Sequence, residues 1–266
     1  LGHWITRPSH YSCLKMSTSI STSAAASNNE TMRPMLFNFT LLIRLGAGVA
    51  VAALLGCAQA PVAQWQGASV QASQRGVQAY LVGMGQVADI EFENARRAVG
   101  STANLEAVAH IELLQCAARI ASLEPLVCTP SVDAAYMSQA QLVYLNYLNA
   151  MLPVEAKAAL LPAAQRKVVL ALRNGVSMEA VVRDMQTSND QPLSTLLACA
   201  IANQHQAAPL AVVGQAVDIA SAQGWRKPLL AWLSVQRNLA LEQGNTSLSA
   251  EAQQRIDLLV LTAAAR

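Results

Sequence analysis

Aromatic and charged residues are both scarce in this 266-residue chain: 5% Phe, Trp and Tyr, and 13% Asp, Glu, Lys and Arg. Soluble domains usually carry about 25% charge, so a folded surface here must rely on Ser, Gln, Asn and Ala. Four of the 18 basic residues (Arg7, Lys15, Arg33, Arg44) and one of the 16 acidic ones (Glu30) precede Cys57, which leaves 14 basic against 15 acidic from Cys57 onward. The formal charge of +2 therefore belongs to the first part of the chain. Without a basic stripe to neutralise phosphates, no nucleic-acid partner is expected.

Histidine is rare as well. Only His110 and His205 lie beyond Cys57, and no His-Glu-x-x-His or Cys-x-x-Cys spacing includes them, so no metal is expected. His110, with Glu106 four residues before it, reads as a helix-surface pair. A Gly-x-Ser-x-Gly elbow is missing, and the one Ser-x-x-Lys, Ser12 to Lys15, falls near the start of the chain. No catalytic residue is nominated.

Two patterns imitate chemistry. Gly83 to Ala88 fits Gly-x-Gly-x-x-Ala, with Glu106 at roughly the distance of a ribose ligand. That fingerprint needs a preceding strand. Here a stripe of Leu81, Met84, Ala88, Phe92, Ala95 and Val99 at helical spacing runs through the glycines, which are expected to admit a neighbouring helix, and no cofactor is expected. Asp89, Glu91 and Glu93 could suggest the paired carboxylates of glycoside cleavage, but their spacing spreads them round a helix as a solvated face. The lytic transglycosylases are helical envelope enzymes, and neither their Glu-Ser motif nor their Gly-Leu-Met-Gln stretch occurs.

One long apolar run is present. Leu45 to Gly56 is uncharged and follows Arg44 and Arg33, the order of a basic n-region and an apolar h-region, and it is short for a spanning helix. A retained single-span anchor and a buried core helix are the other readings. The run ends in Leu54-Leu55-Gly56-Cys57, which resembles the lipobox of bacterial prolipoproteins. That resemblance implies lipidation of Cys57 as the new N-terminus and attachment to an envelope membrane. Ala58 in the next position resembles the outer-membrane default of Gram-negative sorting, so the expected location is the outer membrane, facing the periplasm. The resemblance covers the signal and not the domain after it.

The organisation expected from these signals has four parts. Residues 1–31, with the polar low-complexity stretch 17–30, read as a non-native or disordered extension outside the fold, with a mitochondrial transit peptide as the rival. Residues 32–56 read as signal peptide, and 57–74 as the lipidated cysteine and a tether, because Ala58 to Gln74 carries no charge. Residues 75–266 read as one α-helical domain.

Beyond Gln74, period-2 alternation is absent and Pro or Gly recurs between segments of helical length. The fold class is therefore all-α, an irregular multi-helix bundle, with an α-solenoid of helical hairpins as the weaker alternative since no fixed repeat holds. The expected elements are a helix from Val70 to Val99, and a second with Leu105, Ala109, Leu113 and Ile120, capped by Ser101 or Thr102, the two forming a hairpin. A third, spanning 132–152 and apolar on nearly every face, is expected at the centre. Among Cys116, Cys128 and Cys199, a Cys116–Cys128 disulfide is preferred over Cys116–Cys199 and over three buried thiols. Gly224 should end one helix and Pro228 lie in the first turn of the next, which makes Trp225, Arg226 and Lys227 an inter-helix turn and the one nominated partner contact. The functional expectation is a lipid-anchored envelope protein with a non-enzymatic interaction or assembly role. The alternative is an envelope enzyme acting on peptidoglycan or lipid.

Overall fold

The computed structural model describes residues 63–187 and 191–264; the expected extension, signal peptide, Cys57 and the start of the tether lie outside the described residues. Within them the chain forms eleven α-helices and a single 3-10 turn, Ala134–Tyr136, with no strand. The helices are α1 (Gln64–Leu81), α2 (Gly85–Gly100), α3 (Leu105–Ala121), α4 (Gln139–Leu148), α5 (Glu155–Ala158) and α6 (Ala163–Asn174), followed by α7 (Met178–Thr187), α8 (Pro192–Gln204), α9 (Leu210–Ala222), α10 (Arg226–Glu242) and α11 (Thr246–Ala264). The fold is an all-α multi-helix fold.

The centre is α8. Every residue from Leu193 to Ala202 is buried, and α3, α6, α7 and α9 all pack on it. A helix that is apolar on all sides can exist in water only when enclosed, and Ala198, Cys199, Ala200 and Ala202 add little bulk, so neighbours approach closely. Convergence of helices from distant parts of the sequence on one axis makes this a bundle. The segment expected at the centre takes a lesser place: only Gln139 to Leu148 is α-helical there, started by a capping box between Ser138 and Gln141. Val143, Tyr144, Tyr147 and Leu148 are buried, whereas Tyr136 and Met151 are 62% and 54% exposed.

The expected helix from Val70 to Val99 is instead two antiparallel helices, α1 and α2. Gly83 adopts φ +92°, and the Gly83 and Met84 N–H groups donate to the Tyr80 and Ala79 carbonyls at 3.1 and 2.8 Å, the pairing of a Schellman stop. No neighbour lies where a Cβ on Gly83 or Gly85 would stand, so these glycines make the turn and do not admit another helix. Gly76 does that: a Cβ there would lie 3.2 Å from the Phe92 ring.

Residues 64–74, expected to belong to the tether, are helical, because α1 begins at Gln64. Up to its last two buried residues, Tyr80 and Leu81, its buried face is Ser69, Ala72, Ser73, Gly76 and Ala79, small residues suited to a tight hairpin but indistinguishable by composition from a linker. Asn104, not Ser101 or Thr102, caps α3, accepting from the Ala107 N–H at 3.0 Å. The close hairpin is α1 with α2, although α2 and α3 also touch.

The same stop recurs at residues that are not glycine. Leu123, Ala150 and Gln206 hold φ of +57°, +57° and +56°, each with the paired backbone bonds of a Schellman motif: Glu124 to Arg119, Met151 to Asn146, and Ala207 to Ala202. An L-residue with a Cβ pays about 1–2 kcal/mol in this region. Gln206 is exposed, so Gln206→Gly is expected to leave the fold unchanged and raise stability by about 0.5–1 kcal/mol, the relief exceeding the added chain entropy, as read from the urea midpoint at constant m-value.

Candidate functional site

The nominated turn is where the structure concentrates its polar contacts. Gly224 at φ +63° stops α9, and the Trp225 N–H donates to the Ala220 carbonyl at 2.9 Å. Trp225 is the N-terminal cap residue of α10 and Pro228 lies in that helix's first turn, as the Gly and Pro positions predict. The three side chains then point to three different elements. The Trp225 indole is only 6% exposed and donates to the Gln78 side-chain oxygen of α1 at 3.2 Å. Arg226 donates to the Leu259 carbonyl of α11 at 3.1 Å. Lys227 pairs with Glu124, after α3, at 2.6 Å and stands 3.9 Å above the centre of the Tyr80 ring of α1.

Trp225 is therefore part of the core and offers no exposed aromatic anchor; the nominated triplet works as an internal joint. Glu124 is its pivot. Its carboxylate also accepts from the Arg119 guanidinium at 2.7 Å, so two cations from α3 and α10 share one acid. Burial alone would raise the pKa of Glu124, but contacts with Lys227, the Tyr80 hydroxyl and Arg119 outweigh it and hold the group at about 2. The Arg119 guanidinium is raised, chiefly by its hydrogen bond to Glu124, and burial raises the Tyr80 phenol. Glu124 holds both cations with a pKa far below neutrality, so it is ionised at neutral pH and is not poised as a proton donor.

Cys116 and Cys128 form the expected disulfide, with Cα atoms 5.8 Å apart. Two further ties hold the same segment. Asn149 accepts from the Cys128 N–H at 2.7 Å and donates to the Cys128 carbonyl at 3.0 Å, while the Glu112 carboxylate takes both the Ser131 N–H (2.8 Å) and its hydroxyl (2.6 Å). Cys199 is a buried free thiol whose pKa burial pushes up to about 12, so it is neither nucleophile nor ready ligand.

The remaining sequence signals separate in space or pair on the surface. Glu91 bonds Arg75 at 2.9 Å, and Glu93 pairs with Arg96 and Arg97 at 3.1 and 3.7 Å. His110 is partly buried, and that burial lowers its pKa against the weaker opposing charge of Glu106, so it does not stand in the open helix-surface pair expected. Among the described residues no group of three His, Cys, Asp or Glu could hold a metal ion. A shallow depression of about 270 Å³ between the α6–α7 and α8–α9 connections is lined by Leu172, Val176, Met178 and Pro209 among others, with no titratable side chain. Glu124, Tyr80 and Asn149 were not foreseen: each is defined by a partner more than 20 residues away, and nothing local distinguishes it.

Because Glu124 has a lower pKa folded than its ordinary 4.5, its contribution is complete above that value and fades as pH falls towards about 2. Glu124→Gln is expected to destabilise by about 1–2 kcal/mol at pH 7, allowing for partial exposure, and to flatten the loss of stability between pH 5 and 2 in urea titrations. No family model matches the chain, and no curated protein or solved structure is detectably similar to it.

Proposed function

We propose that this is a lipid-anchored protein of a bacterial envelope, held through Cys57, whose helical domain has a non-enzymatic interaction or assembly role. The observation that carries the reading is the order Arg44, apolar run, Leu54-Leu55-Gly56-Cys57, which resembles a prolipoprotein signal. Three features of the described residues support it. None of their helices is long and apolar enough to cross a membrane. A disulfide fits an oxidising compartment. The Glu124 carboxylate is taken up by Arg119 and Lys227 of its own fold, as a structural joint between elements requires. Outer-membrane sorting facing the periplasm, suggested by Ala58, is part of the same proposal.

The test is Cys57→Ala in a bacterial host given a radiolabelled or alkyne fatty acid. The substitution is expected to abolish lipid labelling and to leave uncleaved precursor. Labelling and mobility equal to those of the unsubstituted chain would remove the anchor.

A further inference from the structure

The chain that leaves α3 turns back along it and is tied to it at three successive levels. Glu112, Cys116 and Arg119, four and three residues apart, share one face of α3. Their partners follow in reverse order: Ser131, Cys128 and Glu124. At the first level the Glu112 carboxylate accepts from the Ser131 hydroxyl and N–H at 2.6 and 2.8 Å. The disulfide is the second, and the Arg119–Glu124 pair at 2.7 Å is the third. One covalent tie thus stands between two that are not.

The third level is also the joint between α1, α3 and α10. Glu124 holds Lys227 of α10 at 2.6 Å, and Lys227 covers the Tyr80 ring of α1. Glu124 lies inside the loop that the disulfide closes, whose ends are 12 positions apart, so the sulfur–sulfur bond restricts where the pivot acid can stand. The ties that flank it are open to water: the Glu112–Ser131 contact is exposed, and the Arg119 and Glu124 side chains are 44% and 26% exposed. Solvent screening makes such contacts weak when they act alone.

We propose that Cys116–Cys128 is a reversible redox latch on this joint: as a disulfide it holds Glu124 against Lys227, and as two thiols it releases the start of α10 from α1. A thiolate of an external dithiol attacks Sγ of Cys116, which is only partly buried, whereas Cys128 is 2% exposed. The Sγ–Sγ bond breaks, Cys128 leaves as a thiolate and takes a proton, and the second thiolate of the reductant displaces Cys116. The protein gains two electrons and two protons, and the dithiol becomes a disulfide. Opening is local, because the core round α8 stays enclosed. Asn149 still holds the Cys128 N–H and C=O, which keeps the two thiols at high effective concentration for closure. The latch needs neither Cys57 nor lipid, so it and the anchor can fail separately.

The test equilibrates the full chain in detergent with mixtures of reduced and oxidised dithiothreitol and scores Cys116 and Cys128 by alkylation and peptide mass. Glu124→Gln is expected to let the disulfide open at a ratio about three- to tenfold milder, the coupling typical of residues in one network, and Ser131→Ala to act the same way by less. On reduction, far-UV circular dichroism is expected to keep its helical amplitude. The Trp225 indole N–H, bonded to Gln78, should lose exchange protection while that of Trp232, bonded to the Ala121 carbonyl, keeps it. Cys116→Ser combined with Cys128→Ser should reproduce the reduced pattern without reductant, and reoxidation of the unsubstituted chain should restore the first one. A disulfide that no ratio opens, loss of helix on opening, equal Trp225 protection in both states or an equilibrium indifferent to Glu124→Gln would each overturn the latch.

Discussion

The rest of the fold depends on the enclosure of α8. A helix whose ten consecutive residues Leu193 to Ala202 are all buried has no side it can show to water, so helices must surround it. α3, α6, α7 and α9 do so, and the order of the chain follows from this: the N-terminal hairpin joins through α3, and the C-terminal helices join through α9. Trp232, fully buried on α10, donates its indole N–H to the Ala121 carbonyl at the end of α3 at 3.1 Å, which ties the outer C-terminal layer to the same centre.

With so little charge available, the ion pairs round Glu124 stand at a joint between elements. Glu124 receives cations from α3 and α10, and Lys227 covers the ring of Tyr80 from α1, so three stretches widely separated in sequence meet at one carboxylate. A partly buried acid with two cationic partners is more strongly held than the surface pairs along α2, where solvent screens each contact. Trp225 serves the same joint from the apolar side, through its indole bond to Gln78. Composition and placement are connected here: a few charges with specific partners, in a surface otherwise rich in neutral polar residues.

Much of the architecture was legible in the sequence, and the misses share a cause. The helical class, the stop at Gly224, the restart with Pro228 and the Cys116–Cys128 pairing all depend on local chemistry within a dozen residues, and each is found as expected. The division of α1 from α2 was missed because the apolar stripe continues in register across Gly83, and periodicity cannot tell a straight helix from a hairpin whose two halves face each other. The start of α1, Gln64 to Ser69, was missed because an uncharged stretch mainly of Gln, Ala, Gly and Ser is what composition assigns to a linker, although Ser69 is buried there. The central helix was misassigned because an all-apolar pattern marks α4 and α8 alike, and only tertiary enclosure distinguishes them. Of the nominated site, the stop at Gly224 was legible, but Arg226 and Lys227 already belong to α10 and not to a turn, and Trp225 points inward because Gln78, 147 positions away, supplies its acceptor.

The one-residue stops between helices carry a consequence for how the chain can vary. α9 and α10 are joined through Gln223 to Trp225 alone, and α1 and α2 through Val82 to Met84. Each residue of a helix advances its face by about 100°, so a single insertion at such a joint would turn the whole following helix by more than a quarter of a revolution. For α10 that would carry Trp232 and Leu233 out of the core. Substitutions at these joints are graded in effect, but length there is all or nothing; the helices are locked in phase as the teeth of meshed gears are.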